Sequence, residues 1–323
     1  MKRIAVLTSG GDAPGMNACI RAVVRQAVAE GMEAYGIRRG FEGMIDGEIV
    51  PMTSRSVGSI MRLGGTALQT ARSSRFLHDT IQADAVKIVR DHGIEGLVVI
   101  GGNGSFQGAM AVSRLGLPVI GVPASIDNDM GGTEMAIGVD TCLNTILDSM
   151  DKIKDTAGSL QRPFIIEVMG RECGYLALLA GLAGGAELVV TPESNMTLEQ
   201  IDEEIETAYR LGKPMFIALV AEGARVKATE ITDHLMKSHA REGGAPRLTI
   251  LGHVQRGGNP SAFDRILATR LGVAAVKALV AGHGAHMVGL KGGRIAVTPL
   301  AESTVMAPTL DPDLHAMART LAH

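Results

Sequence analysis

The segment Ser9-Gly10-Gly11-Asp12-Ala13-Pro14-Gly15-Met16-Asn17, directly after the apolar run Arg3-Ile4-Ala5-Val6-Leu7-Thr8, decides the fold. An apolar strand that ends in glycines and gives way to a helix opens an α/β unit. Glycine permits positive φ and lets a ligand approach bare N–H groups. The helix that follows adds unpaired donors and the positive end of its dipole. The pattern recurs where Gly101-Gly102-Asn103-Gly104-Ser105 follows Gly96-Leu97-Val98-Val99-Ile100. Two such turns predict a polyphosphate held between them. Neither has the dinucleotide spacing nor the Gly-Lys-Ser/Thr ending of a P-loop. Taken alone, the first turn reads equally as a phosphate cradle or as a tight turn capped by Asp or Asn.

Apolar runs of strand length recur at 3–8, 34–37, 96–100, 118–122, 163–168, 186–191, 214–220 and 247–251. Most are near-continuous in Ile, Val and Leu, the pattern of parallel strands covered on both faces. Helices are expected between them. Residues 17–30 place Ile20, Val23, Val24, Ala27 and Val28 on one face, with Arg21 and Arg25 together on another. Two more are expected at 139–154 and 198–211, the latter with a Thr197 cap and a Gly212 stop. The polar stretch 223–246 reads as a surface insertion.

At 323 residues the chain is long for one core, so two domains are expected. A net charge of -3 points to neither nucleic acid nor an anionic membrane. Three scattered cysteines suit a reducing compartment and form no zinc spacing. Met1-Lys2-Arg3 runs straight into a strand, which argues against a signal peptide. The stretch 174–190 is broken by Glu187 and glycines and is no membrane span. A cytoplasmic protein is the expectation.

The polar clusters fall after strands: 9–12, 101–105, 125–129, 169–171, 222–223 and 252–253. Ligands of open parallel sheets bind at that edge. Asp127 and Asp129 point the same way if the strand period persists, one as a base and one toward Mg²⁺. The same pair also reads as an Asx-turn in a solvated loop. Arg72, Arg162, Arg171, Arg247 and Arg256 lie in or near the strand-end loops and suit phosphate, though each alone reads as a surface cation.

Together, residues 9–17, 101–105, 126–129, 168–171 and 251–258 resemble bacterial ATP-dependent 6-phosphofructokinases, over nearly the whole chain. Leu251-Gly252-His253-Val254-Gln255-Arg256-Gly257-Gly258 and 121–129 carry the resemblance most specifically. It implies two Rossmann-like three-layer α/β/α domains with mostly parallel sheets and an active site in the cleft between them. The larger, nucleotide-binding domain would comprise 1–138 and 255–305. The smaller, sugar-phosphate domain would comprise 139–254 and 306–323. The implied reaction moves the γ-phosphoryl of ATP to the 1-hydroxyl of fructose 6-phosphate, with Mg²⁺.

The resemblance makes Asp127 the general base, with Arg171, Arg72 and the Gly11 N–H on the transferring phosphoryl. Gly11, Arg72, Gly102, Asn103, Gly104, Ser105 and Gly108 match the ATP side. Ser125, Asp127, Asp129, Met169, Gly170, Arg171, Glu222, His253 and Arg256 match the sugar-phosphate side. Arg162 and Arg247 match arginines that reach a neighbouring subunit's site, which implies a homotetramer. Pyrophosphate-using relatives carry an acid at the place of Gly104 and a lysine at that of Ala124, so both positions here favour ATP.

The chain departs from the pattern at two places. Asn103 stands where ATP-using relatives usually carry an acid, and Asn103 and Asp129 are the expected metal ligands. An amide is a neutral ligand, so weaker Mg²⁺ use and slower turnover are expected. At the allosteric site, which binds ADP or phosphoenolpyruvate in the family, Arg21, Arg25, Lys154, Gly185, Glu187 and Lys213 fit the pattern. Ser54, Leu211 and Pro214 sit where further cations are common, so altered effector binding is expected. Two other readings stand beside the kinase. One is a weakly active paralogue that senses ligands, motivated by Asn103. The other is a kinase related to NAD and lipid kinases, whose Gly-Gly-Asp-Gly turn the second glycine turn resembles.

Overall fold

A computed structural model describes residues 1–160, 162–213, 215–238, 245–303 and 310–322. Pro214, the 239–244 part of the expected insertion and the expected domain crossing near 305 lie outside the described residues. The chain divides into two compact units. The first is Met1–Thr141 with Arg256–Pro308, and the second is Cys142–Gln255 with Thr309–His323.

The first unit is built on a seven-stranded sheet. Its strands are β1 (Arg3–Ser9), β2 (Glu33–Ile37), β3 (Ile49–Met52), β4 (Gly96–Gly101), β5 (Val119–Pro123), β10 (His286–Lys291) and β11 (Arg294–Pro299), in the order β11-β10-β5-β4-β1-β2-β3. The five central strands are parallel, while β3 and β11 are antiparallel edges. Helices α1 (Met16–Ala29) and α9 (Ala262–Val280) pack together on one side. On the other, Ala5, Leu7, Leu97, Val99 and Val119 form a core with Phe41, Val86 and Phe106. Those three come from α2 (Gly40–Asp46), α3 (Asp79–Asp91) and α4 (Asn103–Arg114). Adjacent residues of β1 and β4 thus serve opposite faces, and both faces are apolar because both are covered. The short α10 (Leu300–Ser303) closes that core through Leu300.

The second unit carries a parallel four-stranded sheet, in the order β7-β8-β6-β9. Its strands are β6 (Pro163–Val168), β7 (Leu188–Val190), β8 (Phe216–Ala221) and β9 (Arg247–Ile250). Ile165, Val190, Phe216 and Ala218 pack with Ile201, Ile205, Ile231 and Leu235 of α7 (Leu198–Arg210) and α8 (Ala228–Ser238). The remaining helices are α5 (Val139–Leu160), α6 (Tyr175–Gly184) and α11 (Pro312–Leu321). A Thr197–Gln200 capping box starts α7 and Gly212 follows it in the left-handed region. Among the described residues no helix is long and apolar enough to cross a membrane.

Three expectations are corrected. Val28 is 43% exposed, because α1 turns it away from the face that buries Ile20, Val23, Val24 and Ala27. The stretch 223–246 contains the packed helix α8, whose Ile231 and Leu235 are core residues. Strands β3, β10 and β11 were not expected from the apolar runs.

Candidate active site

The sheet order fixes where the first site lies. The chain runs from β1 to β2 on one side and returns to lay β4 on the other, so the direction of winding changes between β1 and β4. Loops leaving two such strands part and leave a crevice at the carboxyl edge. Ser9 is paired with Gly101, so both glycine turns leave the sheet from neighbouring positions.

One glycine in each turn is packed too closely for a side chain. A Cβ on Gly101 would stand 2.5 Å from both the Ser105 hydroxyl and the Ser9 carbonyl. One on Gly11 would stand 2.4 Å from Nη1 of Arg256, so the guanidinium lies on bare backbone. That same nitrogen donates to the Asp12 carbonyl at 3.1 Å. Helix α1 has no side-chain cap, and its N-cap is Gly15 at φ 111°. The expected Asp or Asn cap is therefore absent. Asn17 is instead buried, donates to the carbonyls of Leu63 and Gly64, and accepts from Ala67 N–H at 2.6 Å. Thr70 donates to the Gly10 carbonyl at 2.7 Å. These bonds strap the stretch leading to the exposed Arg72 onto the first turn. Asn17 belongs to the first turn's sequence motif but acts as a buried strap, and Thr70 was missed because a polar loop residue carries no distinct pattern.

The second turn ends in α4, whose first residue is Asn103 and whose N-cap, Gly102, carries no side chain to occupy the helix end. The Ser105 hydroxyl is buried without a hydrogen-bond partner. Gly104 is exposed, with open space where its Cβ would be. A Cβ on Gly108 would stand 2.6 Å from the Phe41 ring, so glycine lets α4 pack closely on α2. The helix N-terminus offers donors to an anion, and the orphan hydroxyl beside it offers one more.

The 125–129 loop does not continue the strand. Asn128 sits at φ 51°, in the left-handed region, so the expected common direction of Asp127 and Asp129 is lost. Asp127 is 1% exposed while Asp129 is half-buried. Asn128 braces the loop from behind, donating to the Glu134 carbonyl and accepting from Ala136 N–H at 2.9 Å. The Ser125 hydroxyl accepts from Asp127 N–H at 3.3 Å and donates to Asp129 Oδ1 at 3.4 Å.

Asn103 and Asp129 meet here. Asn103 Nδ2 donates to the Asp129 carbonyl at 3.2 Å, and its Oδ1 is buried with no hydrogen-bond partner. That oxygen and the Asp129 carboxylate are hard donors that fit a divalent cation. Among the described residues no group of three or more His, Cys, Asp or Glu could hold a metal.

In the second unit the expected residues separate into two edges. Met169-Gly170-Arg171 and Glu222 follow β6 and β8 at the carboxyl edge. Glu222 Oε1 accepts from the N–H groups of Gly170 and Arg171 at 3.2 and 2.7 Å. The Glu167 carboxyl nearby is pushed upward, first by burial and then by the Glu222 charge. His253, in the turn after β9, is exposed. Arg162 and Arg247 do not join this group. Arg162 precedes β6 and Arg247 opens β9, which puts both at the amino edge. Six residues of strand, about 20 Å, separate that edge from Arg171. The strand-end placement expected for them is corrected to the opposite end.

The amino edge also holds Glu187 and Lys213, which precede β7 and β8. Lys213 Nζ is 3.6 Å from Glu187 Oε1 and donates to the Ala322 carbonyl. Glu187 Oε2 accepts from Ile217 N–H at 2.8 Å. Lys154 of α5 donates to the carbonyls of Gly184 and Gly185, where α6 ends and Gly185 takes φ 60°. In the first unit, Arg25 reaches the Ser54 carbonyl at 3.5 Å, and Arg21 has a buried Nε with no hydrogen-bond partner.

Comparison with known proteins matches residues 3–279 to the family described as phosphofructokinase. An ATP-dependent 6-phosphofructokinase of Thermotoga neapolitana is 49% identical over 323 residues, covering all of both chains. The ATP-dependent 6-phosphofructokinase 1 of Thermus thermophilus is 50% identical, again over the full length of both. Among solved structures, phosphofructokinase from Saccharomyces cerevisiae superposes with a TM-score of 0.89 at 33% identity. That match covers this whole chain but 47% of the yeast chain, so this protein spans about half its length. These relatives are named as enzymes and give no support to a ligand-sensing paralogue. With a family match over most of its length and full-length relatives near half identical, the chain belongs to the phosphofructokinase family of kinases.

Proposed function

We propose that the protein phosphorylates fructose 6-phosphate at its 1-hydroxyl with ATP and Mg²⁺. The observation that carries this is the meeting of both glycine turns at the β1/β4 switch point, with the 125–129 loop beside them on β5. The N–H groups of Gly11 and the α4 N-terminus, with the Ser105 hydroxyl, would take the polyphosphate, while Arg72 would approach it from outside. Asp127 accepts the proton of the attacking hydroxyl, and its burial at the base of the loop keeps it from bulk water. Asn103 and Asp129 would hold Mg²⁺, which supplies positive charge to the β- and γ-phosphoryl oxygens when bound. Arg171 neutralises charge on the phosphoryl, and the catalysis is mostly positioning and electrostatics. The open space at Gly104 supports a nucleoside on the donor. Ser125, Asp129, Met169, Gly170, Glu222, His253 and Arg256 would hold the sugar phosphate.

We further propose a homotetramer in which Arg162 and Arg247 complete a neighbour's sugar site. Their separation from Arg171 by the length of β6 supports this, since an arginine side chain is far shorter than that. Arg21, Arg25, Lys154, Gly185, Glu187 and Lys213 would form a site for ADP or phosphoenolpyruvate.

A coupled assay of fructose 6-phosphate phosphorylation tests the central reading. Asp127→Asn is expected to lower kcat by about 10²–10⁴-fold while leaving the KM for ATP nearly unchanged. Near-native kcat in that variant would remove Asp127 from the chemistry.

A further inference from the structure

Gln255 is fully buried and is the last residue of the second unit before the chain passes into the first. Both ends of its amide are used. Oε1 accepts from the Met169 N–H at 2.8 Å, and Nε2 donates to Sγ of Cys142, on α5, at 3.4 Å. Met169 follows β6 directly and opens the segment Met169-Gly170-Arg171, which lies outside any helix or strand. The backbone there cannot hold itself in a regular ladder, because Gly170 takes φ 148° and Arg171 φ 52°. Side chains hold it instead. Gln255 takes the first of three consecutive N–H groups and Glu222 takes the next two.

We propose that Gln255 is a positioning residue for sugar-phosphate binding. It acts through the Met169 N–H, setting the depth of the Met169-Gly170-Arg171 segment from behind without touching substrate. This rests on the reading that the segment binds the sugar phosphate. The division of labour explains why an amide is needed: the acceptor must face a backbone donor while the other end anchors to α5. A carboxylate would lose the anchor and bury a charge, and an apolar side chain would leave the Met169 N–H unsatisfied. The next residue, Arg256, is fixed in the first unit on Gly11 and the Asp12 carbonyl. Two adjacent residues thus brace one loop of each unit.

The test uses the full-length enzyme with Gln255→Met, which keeps length and volume but removes both hydrogen bonds. Steady-state kinetics are read together with hydrogen exchange at the Met169 amide. The expected result is a KM for fructose 6-phosphate raised about tenfold, the loss of a buried hydrogen bond. The KM for ATP stays within about twofold on the same grounds, and Met169 exchange accelerates. Gln255→Glu, which keeps the acceptor, is expected to recover part of the affinity. If Gln255→Met fails to fold, Gln255→Glu and Cys142→Ala carry the test, with Met169 exchange faster than in the native enzyme and a rise of less than about tenfold in the same KM. An unchanged fructose 6-phosphate KM beside accelerated Met169 exchange would overturn the proposal, as would equal rises in both KM values. Arg171→Ala separates the two levels. If it changes neither kcat nor the sugar-phosphate KM, the reading of the segment fails. If it changes them and Gln255→Met does not, only the positioning role fails.

Discussion

The carboxyl edge of the seven-stranded sheet and the amino edge of the four-stranded sheet solve opposite problems. At the first, each loop is bonded by its own unit: Asn17 and Thr70 strap one turn, Asn128 braces another, and Arg256 is seated on Gly11. Two buried polar atoms beside these loops, Asn103 Oδ1 and the Ser105 hydroxyl, have no hydrogen-bond partner. Rigid loops with unsatisfied polar atoms are the mark of a preformed site. At the second edge the side chains reach for what is near. Lys213 holds Glu187 and the Ala322 carbonyl, Lys154 holds the end of α6, and Arg247 is exposed. On the proposed reading, the first edge supplies the phosphoryl-transfer groups from one chain, and the second is the surface that a neighbour or an effector would complete.

The largest test of that contrast mixes two defective chains. Asp127→Asn removes the base and Arg162→Ala removes a cation from the far edge, so each homomer should be nearly inactive. Refolded together, they should regain activity, because a site can then combine an intact Asp127 with an intact Arg162 from another subunit. If mixing gives no more than the sum of the two homomers, shared sites are excluded.

A smaller effect is expected at the effector residues. Titration calorimetry should detect ADP or phosphoenolpyruvate binding, and Lys213→Ala should weaken it about tenfold, the scale of one charge-assisted hydrogen bond. Binding of neither ligand to the native chain would sink the effector reading.

The smallest concerns Asn103. Replacing it with Asp adds a charge to the metal pair but removes the amide donor to the Asp129 carbonyl. The half-saturating Mg²⁺ concentration should fall by up to about tenfold, equivalent to about 1.4 kcal/mol, with a lower thermal midpoint from the lost hydrogen bond. Direct Mn²⁺ binding, followed by its magnetic resonance signal, reads the same change without turnover. Unchanged Mg²⁺ and Mn²⁺ dependence would remove Asn103 from the metal site.

How far the sequence could be read follows from how much of each element is buried. The central strands are covered on both faces, so their runs of Ile, Val and Leu are unbroken and legible. β3 and β11 lie at edges with mixed exposure, and Pro51 and Thr298 interrupt any apolar run. The glycine turns were legible because their geometry demands glycine. The buttresses were not: Asn17, Asn128 and Gln255 are polar residues whose partners lie 6 to 113 positions away, with Asn17 reaching 50. The direction of Asp127 and Asp129 was misjudged for the same reason, since the bonds to Glu134 and Ala136 that hold Asn128 in the left-handed region carry no pattern in the sequence. The amino-edge placement of Arg162 was within reach, as it directly precedes the apolar run at 163–168.

The central claim is that the glycine turns hold a nucleoside triphosphate for transfer to fructose 6-phosphate. Its most direct test compares ATP, pyrophosphate and ADP as donors in steady-state turnover at saturating Mg²⁺. The open space beside Gly104 predicts turnover with ATP and none above background with pyrophosphate. Turnover with pyrophosphate equal to that with ATP would contradict it.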